Sequence, residues 1–220
     1  MTDGLETAVR TRGATNVPDP NIAEPAAVAA PEGNPALIGV PTFLAGSIAL
    51  GLVLTGYVPA TAGGASIPII MTATGIGQLV AATWAARLSQ NAVASIFGIF
   101  TGFWLSYAAL VLGLTHNWFG IVAADVQKTE QLFLLTWLIL IVLLTVGTLR
   151  LPLAFTVLFV LIDLALFFNF LGVSHTSANL NKLAGYFVFS FVVVGAYLFI
   201  DAMNSATGGK ALPLGKPVIG

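Results

Sequence analysis

Six apolar runs dominate the sequence: Leu37–Val58, Ser66–Ala86, Ala92–Leu114, Gln131–Leu149, Leu151–Gly172 and Leu183–Met203. Each is near the ~20 residues that a helix needs to cross a hydrocarbon core about 30 Å thick. In lipid, every backbone N–H and C=O must be satisfied within the spanning structure, which leaves helices or closed barrels. A barrel would show alternating strands of ~10 residues, and these runs do not alternate. The expected fold class is therefore all-α: a polytopic membrane protein built as a six-transmembrane-helix bundle over 34–203. Charged residues make up 8% of the chain, against roughly 25% in an ordinary soluble domain. So few charges cannot cover a water-facing surface.

The separators carry the remaining polarity. Pro59 to Gly64 reads as a turn, Arg87–Asn91 is polar, and Thr115–Glu130 reads as the longest loop, with Asp125, Lys128 and Glu130 in it. Arg150 and Pro152 break two runs, Val173–Lys182 is rich in Ser, Asn and His, and 204–220 reads as a C-terminal tail of small and polar residues. With six spans both termini share a side, which also holds Arg87, Arg150, Lys210 and Lys216; the opposite side has Lys128 and Lys182. The excess of positive charge predicts cytoplasmic N- and C-termini in a multi-pass protein of the plasma (inner) membrane. Residues 1–33 hold five acids and Pro18, Pro20, Pro25 and Pro31, with no apolar run longer than Ala26–Ala30. That is not a secretory signal, and its composition predicts a disordered polar tail.

Several function classes drop out. A net charge of −1 without a polybasic run argues against nucleic acid as a partner. The chain has no Cys, and its two His residues, His116 and His175, lie far apart. No metal site and no cofactor are expected. A retinal-type receptor needs a seventh helix and a mid-span Lys, and an intramembrane hydrolase needs paired catalytic groups. The expectation is that the chain is not an enzyme.

A few residues stand out. Asn34-Pro35-Ala36 is a helix start: Asn caps well and Pro suits the first helical position. Free N–H groups and the positive dipole end there could hold a carboxylate. Pro41 predicts a break shortly after. Gln78 is a mid-span amide, either bonded between helices or lining a pore. Asp163 lies mid-span, where an ionised carboxylate costs at least ~2.5–3.5 kcal/mol. It must face a wet cavity, accept hydrogen bonds or be protonated, so it reads either as a proton-coupling group or as a hydrogen-bonded strut. Asp201, near the end of the sixth span, reads as a solvated helix end. Trp84, Trp104, Trp118 and Trp137 fit interfacial belts. Gly46, Gly51, Gly56, Gly98 and Gly102 let helices approach closely, within the protomer, at an oligomer contact or at a pore.

In this order the motifs resemble a known family. Asn34-Pro35-Ala36-Leu37-Ile38-Gly39, Gly75-Ile76-Gly77-Gln78, Phe100-Thr101-Gly102-Phe103-Trp104 and Gly147-Thr148-Leu149-Arg150 resemble the motifs of the acetate uptake transporter family. Ala184-Gly185 and Leu212-Pro213-Leu214-Gly215 add support. Leu37 replaces a second Pro of the signature, and Phe100 replaces a Tyr. The resemblance implies a homohexamer with a pore in each protomer, carrying acetate and related small carboxylates, succinate included. Asn34 and Gln78 would then stand at the entrance, Phe43, Phe100 and Ile162 at an apolar constriction, and Gly195 where substrate size is set. Asp163 adjoins Ile162, but helix neighbours point about 100° apart, so both do not face one pore. The competing function is a channel for neutral solutes such as urea or amides.

Overall fold

The computed structural model describes residues 33–220 and is all-helical across them. The tail expected over 1–33 lies outside the described residues, apart from its last position. Six helices are long and apolar enough to cross a membrane: Ala36–Leu54 (α1), Thr61–Arg87, Asn91–Thr115, Ala123–Thr148, Leu153–Ser174 and Ala178–Ala206. The second span ends in α2, Gly77–Arg87, and the third is α3, Asn91–Thr115. The fourth is α4, Val126–Thr148, after a short 3-10 turn at Ala123–Asp125. The last two are α5, Leu153–Ser174, and α6, Ala178–Ala206.

Two local expectations are corrected. Pro41 lies inside α1 and does not break it. A proline clashes with the carbonyl four residues back, here Leu37, which sits in the first turn and has little helix before it to disrupt. The second span is not uniform helix either. It passes from a 3-10 stretch, Ala60–Ser66, through a π-helix, Ile69–Ile76, into α2. Pro68, without an N–H, stands at the junction, and π turns are rare outside special sites.

Glycines let this widened span press against its neighbours. A Cβ on Gly46 or Gly77 would overlap Thr74 or Thr42 across the α1 interface, and one on Gly75 would overlap Leu105 of α3. Gly51 receives Phe189 and Val188 of α6. Gly56 has a different use: its φ of +85° ends α1. The spans pack in a ring, each on the next, with α6 returning to α1. Aromatic side chains close the α3–α4 seam, with Phe103 5.4 Å from Trp137 and 5.8 Å from Phe133 between ring centres. Gly102 lies under Trp137, whereas Gly98 meets nothing among the described residues.

Helices also outrun the hydropathy signal. The fourth span starts eight residues before Gln131, so Glu130 is helical and not in a loop. Polar residues are tolerated in these end turns because they find partners: Gln127 Nε2 donates to the Val173 carbonyl at 2.8 Å. The Ser177 hydroxyl accepts from the Leu180 N–H and caps α6.

The C-terminal segment is tied to the bundle. Gly208, at φ +81°, turns the chain after α6. Asp201 Oδ1 then accepts from the Leu212 N–H at 2.7 Å, and the Tyr197 hydroxyl donates to the Pro213 carbonyl at 2.9 Å. Ala154 N–H donates to Leu214, and the Val218 and Ile219 N–H groups converge on the Leu149 carbonyl. Asp201 is thus a strap anchor and not a free helix end. Gly215 combines a φ of +80° with a Cβ position 2.8 Å from the Leu153 Cβ. Gly215→Ala should cost about 1–3 kcal/mol. It should lower the melting temperature in detergent, while Gly63→Ala, in open space, leaves it unchanged.

Candidate functional site

Three cavities follow one another through the helix ring. The first, about 240 Å³, opens at the end of the bundle where α1 begins and α6 ends, and is here called the terminal vestibule. Asn34, Gln78 and Asp201 supply its polar groups; Phe43, Phe100 and Phe159 lie among its apolar residues. A central cavity of about 30 Å³ shares Phe43 and Phe100 with it, and is also lined by Ile162, Trp104 and Asn169. That volume suits roughly one or two water molecules. A distal vestibule of about 200 Å³ shares Leu54 and Asn169 with the central cavity and adds Tyr107 and Glu130.

Asn34 caps α1 through its side chain, Oδ1 accepting from the Ala36 N–H at 3.1 Å. The Leu37 N–H is taken by the Asn34 carbonyl at 3.0 Å. The first amides of α1 are therefore occupied, contrary to the expected free anion cradle. What Asn34 keeps available is its NH2 group.

Gln78 is fully buried. Its NH2 donates to the Gly39 carbonyl and to Thr42 Oγ1. Gly39 also gives room to the Phe97 ring, which a Cβ there would strike. The Gly39 oxygen can only accept, so the Gln78 amide cannot flip. Its Oε1 is left without a partner among the described residues. Gln78 bonds α2 to α1 and also borders the terminal vestibule.

The waist between these cavities is aromatic. Phe43 and Phe100 meet edge to face with ring centres 4.8 Å apart. Phe159 stands 5.9 Å from Phe100, and Phe191 5.6 Å from Phe43. Ile162 borders the central cavity and not the terminal one. Phe159 was not singled out in the sequence, although it lies three residues before Ile162 on the same face of α5. Gly195 borders the terminal vestibule, and a Cβ there would come 2.7 Å from Leu44 Cδ2.

Trp104 corrects the interfacial expectation. It is 1% exposed, beside the waist, and its indole N–H has no acceptor among the described residues. A buried donor without a partner costs about 1–3 kcal/mol, which a hydrogen-bond acceptor in the central cavity would relieve.

Asp163 borders none of the three cavities. It turns to α4, where Thr145 Oγ1 donates to Oδ2 at 2.7 Å. Its Oδ1 is buried without a partner among the described residues. Thr145→Val should strand the carboxyl and lower stability by about 1–3 kcal/mol. Adding Asp163→Leu should restore much of the loss, a coupling that a double-mutant cycle of melting temperatures measures.

The fold and its chain of cavities define a multi-pass membrane protein with a narrow aromatic waist between two vestibules. The chain belongs to the GPR1/FUN34/yaaH family, whose sequence profile matches residues 14–209. It is 29% identical over 195 residues to accumulation of dyads protein 2 of Saccharomyces cerevisiae, covering 84% of this chain and 65% of that protein. Meiotically up-regulated gene 86 protein of Schizosaccharomyces pombe is 31% identical over 160 residues, covering 67% of this chain and 50% of the relative. The chain thus spans between half and two thirds of the length of these relatives. The solved structure of the bacterial acetate channel SatP superposes with a TM-score of 0.74 at 22% identity, over 84% of this chain and all of that one.

Proposed function

We propose that this chain is a membrane channel or transporter for small monocarboxylates, chiefly acetate, with succinate at the upper end of its size range. The observation that carries the reading is the run of three cavities through a single six-helix ring, pinched where Phe43 meets Phe100. Polar side chains at both ends would collect the solute, and the apolar waist would resist larger ones and a continuous water file. Asn34 and Gln78 act at the terminal vestibule, and Phe43, Phe100 and Ile162 form the constriction. A larger side chain at Gly195 would displace Leu44 and narrow the approach. The name of the SatP structure, an acetate channel, supports this substrate class.

The charge bias supports a terminal vestibule that faces the cytoplasm from the plasma membrane. The assembly follows the family resemblance as a homohexamer. Gly98, which meets nothing among the described residues, suits a face covered by a second copy. Proton coupling at Asp163 would act through the α4–α5 seam. Asp163→Asn separates the roles: a changed pH dependence of flux assigns coupling, and a lowered melting temperature alone assigns a strut.

A second reading is a channel for neutral solutes. It is favoured by the terminal vestibule, whose lining among the described residues holds no Lys or Arg and in which Gln78 Oε1 has no partner among those residues. Labelled acetate and labelled urea uptake into proteoliposomes, run side by side, decides between them. Acetate uptake is expected; urea uptake without acetate uptake would overturn the first reading. Phe100→Ala and Phe43→Ala should raise succinate flux relative to acetate by about ten-fold or more, the scale of losing pocket contacts. Unchanged selectivity in both would remove these rings from the constriction.

A further inference from the structure

The C-terminal strap crosses the end of the bundle where the terminal vestibule opens. α5 and α6 are joined by a short turn at the distal end, between Ser174 and Ala178. At the terminal end they stand on two sides of the vestibule, with Leu151 and Phe155 on one and Leu198, Asp201 and Ala202 on the other. The covalent link between those sides is slack. Fully extended, the stretch from Thr207, after α6, to Leu214, bonded to α5, would reach roughly 26 Å.

Hydrogen bonds remove that slack. The strap is irregular, so its backbone groups take their partners from the bundle. On α6, Asp201 Oδ1 accepts from the Leu212 N–H at 2.7 Å and the Tyr197 hydroxyl donates to the Pro213 carbonyl at 2.9 Å. At the α4–α5 corner, the Ala154 N–H donates to the Leu214 carbonyl at 2.9 Å, and the Leu149 carbonyl accepts from Val218 and Ile219 at 3.0 Å each. Leu214 also packs against the apolar core. An anchor on α6, at Leu212, and an anchor on α5, at Leu214, are thus joined by a span of roughly 7 Å. Asp201 is the one anchor among these that also lines the vestibule. A hydrogen bond to a carboxylate is the strongest kind in the set.

We propose that Asp201 is a positioning residue of the terminal vestibule: by holding Leu212 it keeps the strap taut between α6 and the α4–α5 corner, and so fixes the width of the opening that a solute enters. Without that bond the strap stays covalently attached but goes slack. The α5–α6 seam then parts at its terminal end, pivoting on the turn between Ser174 and Ala178. The width is a property of the wall and is the same whichever solute the vestibule takes.

The chain has no Cys, so one introduced thiol reports alone. Leu158→Cys puts it on α5 in the vestibule wall, next to Gly195 of α6. The full chain in lipid nanodiscs is treated with a small methanethiosulfonate or with a bulky fluorescein maleimide, and the labelling rates are compared. In this background Asp201→Ala should speed the bulky reagent about ten-fold or more, the factor that one hydrogen bond to a charged group puts into an opening equilibrium. The small reagent's rate should stay nearly unchanged. Asp201→Asn keeps a carbonyl oxygen for the Leu212 N–H and should keep the rates of the parent. A bulky-reagent rate in Asp201→Ala equal to the parent's would overturn the proposal. An equal rise for both reagents, the mark of general loosening, overturns it too. Should Asp201→Ala not fold, Leu212→Pro removes the same bond from the strap side. A faster bulky reagent there supports the proposal, and an unchanged rate overturns it. No solute flux enters the measurement, so failure of the carboxylate reading leaves the outcome standing.

Discussion

At Gly39 the first helix, the second span and α3 come together, and much of the terminal half of the bundle depends on that meeting. The missing side chain admits the Phe97 ring. The bare carbonyl above it receives the Gln78 amide. In lipid, helix association gains little from the hydrophobic effect, because the surrounding tails are equally apolar; close packing and interhelical hydrogen bonds must supply it. Gly39, Gly46, Gly75 and Gly77 supply the packing, and Gln78 supplies the bond. The same contact sets the wall of the terminal vestibule, since Phe97 and Gln78 both line it. One small residue thus couples helix association to the shape of the cavity.

The spans were legible because lipid imposes a rule on every residue in them at once. What the rule does not reach is where the sequence misled. Hydropathy ends a helix at the first cluster of polar side chains, so Glu130 read as loop; in fact α4 continues through it, because Gln127 finds acceptors at the end of α5. A tail of small residues gives no periodic signal, so the C-terminal strap was invisible. It is held by backbone groups converging on Leu149, Ala154 and Asp201, whose proximity only the folded bundle creates. Trp104 read as interfacial from composition alone, whereas its place at the waist follows from the ring packing around Phe43, 6.0 Å away. Pro41 and Pro68 look alike in sequence. Pro41 falls where little helix precedes it and is absorbed, and Pro68 falls where a span is being established and accompanies a π-helix.

For Asp163 the sequence supplied the cost of an intramembrane acid but not its direction. The partner, Thr145, lies 18 residues away on α4, and no local pattern links them. The helical angle between neighbours did separate Asp163 from Ile162, and the folded chain puts Ile162 on the central cavity and Asp163 in the α4–α5 seam. Glu130 shows the opposite case. Its cavity is assembled from α1, α3, α4 and α5, so its setting is a property of the ring and not of any one segment.

The waist is held shut by contacts that are individually weak. Aromatic pairs contribute about 0.5–1.5 kcal/mol each beyond their buried area, and the Phe43–Phe100 edge contact is one of a small cluster. Rotating one ring gives up several such contacts, Phe43 meeting Phe100, Trp104 and Phe191, yet it moves less of the structure than shifting a helix. On the proposed function, side-chain motion would be the economical way to open a cavity with room for one or two waters. An ion passing that point would shed its water among rings, with the Trp104 N–H and Asn169 as the nearest hydrogen-bonding groups. The cost falls sharply if a proton travels with the carboxylate, since a neutral acid loses far less hydration than an anion.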